Sequence, residues 1–176
     1  MSRLRRTFLF VAMTTALASA MSLLGGIGLE YVSDRILPLV PLLIAIPSMN
    51  DLIGDYASII AAHMGDPTEA KAQRKKLRGS IMQVVGVNIV AIIALSLLTA
   101  RSRGFVASNE FFVKFCLFII GAVLLAVLLM MSISQFLSLL LRKRRINPDE
   151  ILIPVVTSIA DVVMLLMVSL AVLTIF

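Results

Sequence analysis

Three aspartates, Asp51, Asp55 and Asp161, lie inside stretches of sequence that are otherwise apolar enough to cross a bilayer. A carboxylate at the centre of a membrane costs about 2.5–3.5 kcal/mol on insertion scales unless something offsets that cost. The same stretches contain no lysine or arginine that could neutralise these side chains. We therefore expect the carboxylates to face a bundle interior, a partner or a water-filled path. An anionic site without a fixed cation indicates that a cation is the ligand.

The surroundings of Asp161 add further oxygen ligands. Asp161 lies about ten residues, or roughly 15 Å of helix, from the start of its apolar stretch, which places it near the middle of a bilayer. Thr157 falls one turn earlier on the same helix face, Ser158 lies beside it, and Pro154 weakens the helix one turn further down. Such all-oxygen groups suit hard divalent cations, and Mg²⁺ usually keeps several waters while using one or two carboxylates.

The second apolar stretch, about residues 36–62, is longer than a bilayer requires and contains several prolines. Because proline lacks a backbone donor, the sequence predicts a kink or an opening of the helix near Pro47. Asp51 and Asp55 follow it, four residues apart and therefore on one helix face. Asn50 adds a neutral oxygen nearby. Counted from Ile36, Asp51 and Asp55 lie toward the cytoplasmic end of this stretch.

A plainer interpretation stays open for each aspartate. A single buried carboxyl can be protonated, or it can hydrogen-bond to a neighbouring helix as part of the packing. Asn88 and Gln135 are also polar residues at membrane depth, and interhelical hydrogen bonds explain them without a ligand.

The composition indicates an integral membrane protein. Of the 176 residues, 60% are hydrophobic and 15% are charged, and the mean hydropathy is +1.03, whereas a soluble domain is roughly a quarter charged. The net charge of +6 requires no nucleic acid, because the basic residues fall between the apolar stretches. The single Cys116 excludes a disulfide within the chain, and the single His63 excludes a multi-histidine metal site within one copy.

Five stretches are long and apolar enough for membrane-spanning helices. They cover about residues 7–28, 36–62, 80–100, 111–141 and 150–174. We therefore expect an all-α, multi-pass protein of the cell membrane in which residues 1–176 form one five-helix domain. Ala12, Ala16 and Ala20 form a small-residue face suited to close helix packing. A signal peptide cleaved after Ala20 is the alternative interpretation of the first stretch.

The basic residues predict the orientation of the bundle. If the N-terminus is cytoplasmic, 12 of the 16 Lys and Arg residues lie on the cytoplasmic side, so we expect N-in and C-out. The segments 66–69 and 147–150 both read as capped helix starts with Pro in the first position. The first of them opens a short basic helix, about 67–78, whose basic face would rest on anionic lipid headgroups or would act as a plain topology signal. That face comprises Lys71, Arg74, Lys75 and Arg78.

The second and fifth stretches resemble the membrane domain of the MgtE magnesium transporter family and its animal relatives in solute carrier family 41. The most specific part is Asn147-Pro148-Asp149 followed by Ile153-Pro154-x-x-Thr157-Ser158-x-Ala160-Asp161. The likeness in the second stretch is looser, because the family often has Gly-Asn where this chain has Met49-Asn50. The resemblance covers essentially the whole chain, with five spans in the same order.

The resemblance implies a homodimeric pore that transports divalent cations, above all Mg²⁺, and not an enzyme. Asp161 of both copies would line a central Mg²⁺ site, and Asn50, Asp51 and Asp55 would border the same path. Bacterial members also carry cytoplasmic N and CBS domains that sense Mg²⁺. Here we expect a stand-alone membrane domain, with any gating left to the loops, a partner or the ion itself.

Two other functions stay open from the sequence. A small membrane transferase of the CDP-alcohol type would use metal-bound aspartates at the inner face, and Asp51, Asp55 and Asp66 follow one another in that region. The Asp-Gly and Ala-Arg elements of that motif are missing, however. A non-transporting membrane subunit is the third possibility, and it leaves the buried acids unexplained.

Overall fold

A computed structural model of the chain describes residues 3–65, 71–143 and 148–176. These residues form helices and, within the ranges given, no strands. The helices are α1 (Arg3–Tyr31), α2 (Ser33–Ile36), α3 (Val40–Gly65), α4 (Lys71–Ser102), α5 (Asn109–Lys143) and α6 (Pro148–Thr174). The predicted all-α fold is confirmed, and one long helix accounts for most of each apolar stretch.

Three helices have segments that are long and apolar enough to cross a membrane, judged on the described part of the chain. They are Gly79–Ser102 in α4, Asn109–Ser138 in α5 and Pro154–Thr174 in α6. α3 falls outside this group because Asn50, Asp51 and Asp55 lie in its middle. The chain is therefore a membrane protein, and the crossing of the bilayer by α1 and α3 stays a prediction.

α6 lies at the centre of the packing. It contacts α1, α3 and α5, and α3 also packs against α4 and α5. Ser22 of α1 lies beside Asp161 of α6, and Gly28 lies beside Ser169, so residue numbers rise together along the two helices. α1 and α6 are therefore parallel, although they are the first and last long helices of the chain.

The connection between α4 and α5 is short, and its conformation is fixed by backbone hydrogen bonds and one side-chain cap. Gly104 has a φ of +85°, the left-handed conformation that ends many helices, and the Phe105 N–H donates to the Ala100 carbonyl at 3.0 Å. The Ser108 side chain then accepts the Phe111 N–H at 3.1 Å and caps the start of α5. This turn holds the two helices side by side at one end of the bundle.

The second apolar stretch differs from its prediction at two of its three prolines, Pro38 and Pro47. α2 ends at Ile36 and α3 begins at Val40, so Pro38 lies in a break between two helices and not inside one span. α3 then continues through Pro47, so the helix does not open there, and the predicted kink stays a prediction. Proline removes one backbone hydrogen bond, and the bonds of the neighbouring turns keep the helix closed.

The basic segment before the third stretch also differs from its prediction. Residues 71–78 form the first turns of the continuous helix α4, and not a separate short helix. The start predicted at 66–69 lies outside the described residues, and so do the side chains of Lys71, Arg74, Lys75 and Arg78. Pro148 is the first residue of α6, as its capping pattern predicted, although Asn147 lies outside the description.

Candidate metal centre

α3 and α6 approach each other closely where Gly54 faces Thr157. A Cβ atom added at Gly54 would lie 3.2 Å from Thr157 Cγ2, so the missing side chain makes room for this approach. One turn away, Asn50 Nδ2 donates to Asp161 Oδ1 at 2.9 Å. Because Asn50 precedes Gly54 and Asp161 follows Thr157, the two helices are antiparallel. The structure thus brings together two of the residues that the sequence proposed for the site.

α1 approaches the other side of α6 through a second glycine. A Cβ atom at Gly25 would lie 2.7 Å from Leu165 Cδ1 and 3.5 Å from the backbone Cα of Val162. One turn earlier on α1, the Ser22 hydroxyl donates to Asp161 Oδ2 at 3.0 Å. The sequence analysis did not identify Ser22, whose contact with Asp161 depends on how the two helices pack.

The close packing of α1 uses a different face from the predicted one. Ala12, Ala16 and Ala20 are exposed in the single chain, whereas Gly25 and Val32 are buried. The small-residue face therefore does not pack against the rest of this copy. The close contact within this copy is made by Gly25, and a packing role for the three alanines stays a prediction.

The Asp161 carboxylate is oriented by neutral donors and is not balanced by a fixed positive charge. Ser22 and Asn50 each donate to one of its oxygen atoms. Neither α3 nor α6 contains a lysine or an arginine. A carboxylate oxygen has more than one acceptor direction, so each can still accept a bond from water or contact a cation.

The amide of Asn50 is itself incompletely satisfied. Its Nδ2 atom points to Asp161, whereas its Oδ1 atom is buried and accepts no hydrogen bond from the described residues. An unsatisfied buried acceptor costs about 1–3 kcal/mol. The Asn50 amide thus uses its donor for the Asp161 carboxylate, and its acceptor has no partner among the described residues.

A cavity of about 650 Å³ opens between α1 and α6 beside Asp161. Thr15, Ser19 and Ser22 line it from α1, and Thr157 and Ser158 line it from α6. Ser158 is buried and donates to the Pro154 carbonyl at 2.6 Å. Three of the predicted ligands, Asp161, Thr157 and Ser158, therefore lie around one cavity, which is open at the surface of the single chain and has a largely apolar lining with several hydroxyl groups.

Asp51 and Asp55 lie elsewhere in the single chain. Both are exposed, one turn apart on the outer face of α3. Among the described residues, no three His, Cys, Asp or Glu side chains are close enough together to hold a metal ion. One copy therefore does not unite Asp51, Asp55 and Asp161 in a single site.

Asn88 has the packing role that the sequence analysis preferred. Its Nδ2 atom on α4 donates to the Tyr56 hydroxyl on α3 at 2.9 Å. This interhelical hydrogen bond accounts for one polar residue at membrane depth without a ligand.

The fold and the contacts define an α-helical membrane protein in which a partly buried carboxylate, Asp161, is held between α1, α3 and α6. The sequence model of the family described as MgtE, divalent cation transporter, matches residues 46–171. The chain therefore belongs to the MgtE family of divalent cation transporters, as its motifs predicted. The match includes Asn50 and Asp161 but not α1 with Ser22. Neither a curated protein nor a solved structure matches the chain.

Proposed function

We propose that this chain transports Mg²⁺ across the cell membrane as a homodimer, with Asp161 of both copies at the central cation site. The observation that carries the proposal is the Asp161 carboxylate, held by Ser22 and Asn50 within an apolar bundle and without a basic residue on α3 or α6. A hydrated divalent cation balances two such carboxylates. Membership of the MgtE family supports divalent cation transport in general.

We also propose that α1, α3, α4, α5 and α6 each cross the bilayer, with the N-terminus in the cytoplasm. In a chain that crosses the bilayer five times, successive helices alternate in direction, so the first and the fifth are parallel. α1 and α6 are the first and fifth of these helices, and they are parallel. The same alternation requires α3 and α6 to be antiparallel, as their contacts are. The uneven distribution of Lys and Arg supports the orientation.

The exposed carboxylates on the outer face of α3 support the proposal that a second copy packs there. Asp51 and Asp55 are exposed there on a largely apolar helix, and contact with lipid would cost about 2.5–3.5 kcal/mol for each carboxylate near the bilayer centre. A two-fold partner that encloses a water-filled path with this face removes that contact. In this arrangement Asp51 and Asp55 lie on the cytoplasmic side of Asp161.

Flux of Mg²⁺ into liposomes that contain the purified protein tests the function. We expect the wild type to carry Mg²⁺ down its gradient and Asp161→Ala to lose nearly all of this flux. Glu110→Ala is the matched control, because Glu110 is an exposed carboxylate at the start of α5 and pairs with Lys114 at 2.7 Å. Equal transport by Asp161→Ala and the wild type would show that the proposed site is wrong.

Mixed dimers test whether the site is shared. When wild type and Asp161→Ala are co-expressed in equal amounts, about one quarter of randomly formed dimers contain two intact copies. A shared site then retains about one quarter of the flux, whereas independent copies retain about one half. A value near one half contradicts the two-copy site while leaving transport itself intact.

A further inference from the structure

We propose that α1 forms one wall of a water-filled path along which a hydrated divalent cation passes between Asp161 and the cytoplasmic side. This inference rests on the proposed transport function and extends it to a helix outside the family match at 46–171. The ligand is the hydrated ion, and the groups that bind its water are hydroxyls of α1.

The first observation is the spacing of hydroxyl groups on α1. Thr15, Ser19 and Ser22 occupy positions four and three residues apart, so they share one face of the helix. All three line the same cavity as Asp161. From Ser22 to Thr15 the helix rises roughly 10 Å, which is about one third of the hydrocarbon core. A line of hydroxyls of this length offers water-binding groups over a continuous distance.

The second observation is the direction in which the cavity extends. On α6 it extends from Asp161 through Ser158 and Thr157 to Pro154, and on α1 it extends from Gly26 past Ser22 to Thr15, so the larger part lies toward Thr15 and Pro154. Both directions lead to lower residue numbers, and α1 and α6 are parallel. With the N-terminus in the cytoplasm, the cavity therefore leads from the carboxylate toward the cytoplasmic surface.

The third observation is the chemistry and size of the cavity. Six waters occupy roughly 180 Å³ at their share of liquid volume, so a cavity of about 650 Å³ has room for an ion with its inner hydration shell. The Asp161 carboxylate in its lining attracts a cation and repels an anion. Hydroxyl groups on this face can accept hydrogen bonds from the waters of the ion.

Cysteine accessibility tests this wall directly, because the chain has a single native cysteine that can first be removed as Cys116→Ala. In that background we compare Ser19→Cys with Ala20→Cys. The two positions lie at nearly the same depth, but they point about 100° apart around the helix. A positively charged methanethiosulfonate reagent is applied with and without Mg²⁺; it reacts with water-exposed thiolates, forms a mixed disulfide and releases a sulfinate.

We expect Ser19→Cys to be modified at least about tenfold faster than Ala20→Cys, and Mg²⁺ to slow the first reaction selectively. Modified Ser19→Cys should also lose Mg²⁺ flux. Equal rates at the two positions, or no protection by Mg²⁺, would overturn the inference. If Ser19→Cys does not fold, Thr15→Cys in the same cavity takes its place, with Ala16→Cys as its neighbour.

The assay separates this inference from the proposed function. Flux by the wild type together with an unreactive Ser19→Cys keeps the transport proposal and rejects α1 as a wall. If Ser19→Cys is modified selectively and protected by Mg²⁺ but the wild type shows no flux, the cavity beside α1 admits cations and the transport proposal is rejected. The intact mass of the purified protein must include residues 1–20, since a chain that begins at Met21 lacks Thr15 and Ser19 and rejects the inference.

Discussion

The Asp161 carboxylate has one neutral donor on each oxygen atom, Ser22 from α1 and Asn50 from α3. Hydrogen bonds to charged groups contribute about 1.5–3 kcal/mol each, more than bonds between neutral groups. The two donors therefore set the orientation of the carboxylate without a cation. The acceptor directions that remain are those available to the ion or its water.

We predict that Ser22→Ala raises the Mg²⁺ concentration for half-maximal flux by about tenfold, because a loss near 1.4 kcal/mol is expected when one such bond disappears. Ser22→Thr keeps a hydroxyl and should transport like the wild type. Ser169→Ala is the control, since the Ser169 hydroxyl donates to the Leu165 carbonyl of its own helix at 2.9 Å. Concentration dependence of flux measures all three, and an equal loss in the Ala and Thr variants contradicts the role of the hydroxyl.

The difference between Asp161 and Ser22 shows which site residues a sequence can indicate. A carboxylate in an apolar stretch is costly enough to stand out on its own. A serine is not, because its hydroxyl can bond to the carbonyl four residues earlier in the same helix, as Ser58 and Ser158 do. Only the packing of α1 on α6 distinguishes Ser22 from these serines.

At the scale of the helices, two glycines set the distance of α1 and α3 from α6. Gly25 faces Leu165 and Gly54 faces Thr157, and the bonds to Asp161 lie one turn from each contact. The positions of the helices along the chain could be predicted from the apolar stretches, because the length and composition of a stretch determine where a long helix forms. The face of α1 that packs against α6 could not be predicted from the sequence, because a single glycine and a repeat of alanines both permit close packing.

We predict that Gly25→Leu lowers the stability of the folded protein by about 1–3 kcal/mol, the usual cost of inserting bulk into a packed contact. Gly26→Leu is the matched control on the next residue, where an added Cβ meets nothing within 4 Å. Thermal unfolding in detergent, followed by circular dichroism, compares the two variants. Similar melting temperatures would show that Gly25 does not control the approach of α1.

At the scale of the whole molecule, the length of α4 shows most directly how the chain is arranged across the bilayer. From Lys76 to Ser102 it rises roughly 39 Å, enough to cross a hydrocarbon core of about 30 Å. Both residues are exposed and lie near opposite ends of the helix. The orientation proposed for the chain places Lys76 in the cytoplasm and Ser102 outside.

We predict that Ser102→Cys, in the Cys116→Ala background, reacts with a membrane-impermeant maleimide on intact cells. Lys76→Cys should react only after the membrane is permeabilised, because its end of α4 is cytoplasmic. Labelling followed by a mass shift on a gel distinguishes the two. The opposite pattern contradicts the orientation, and labelling of both variants on intact cells contradicts the crossing of the bilayer by α4.

The contact between Ser22 and Asp161 also has a consequence for biogenesis, because it joins residues 139 positions apart in the sequence. At translation rates of about 5–20 residues per second, α1 waits roughly 7–28 s before its partner leaves the ribosome. During that interval α1 lacks the helix against which it mainly packs. The carboxylate and its two donors meet only when α6 has been inserted, so a nascent chain does not form the proposed ion site early.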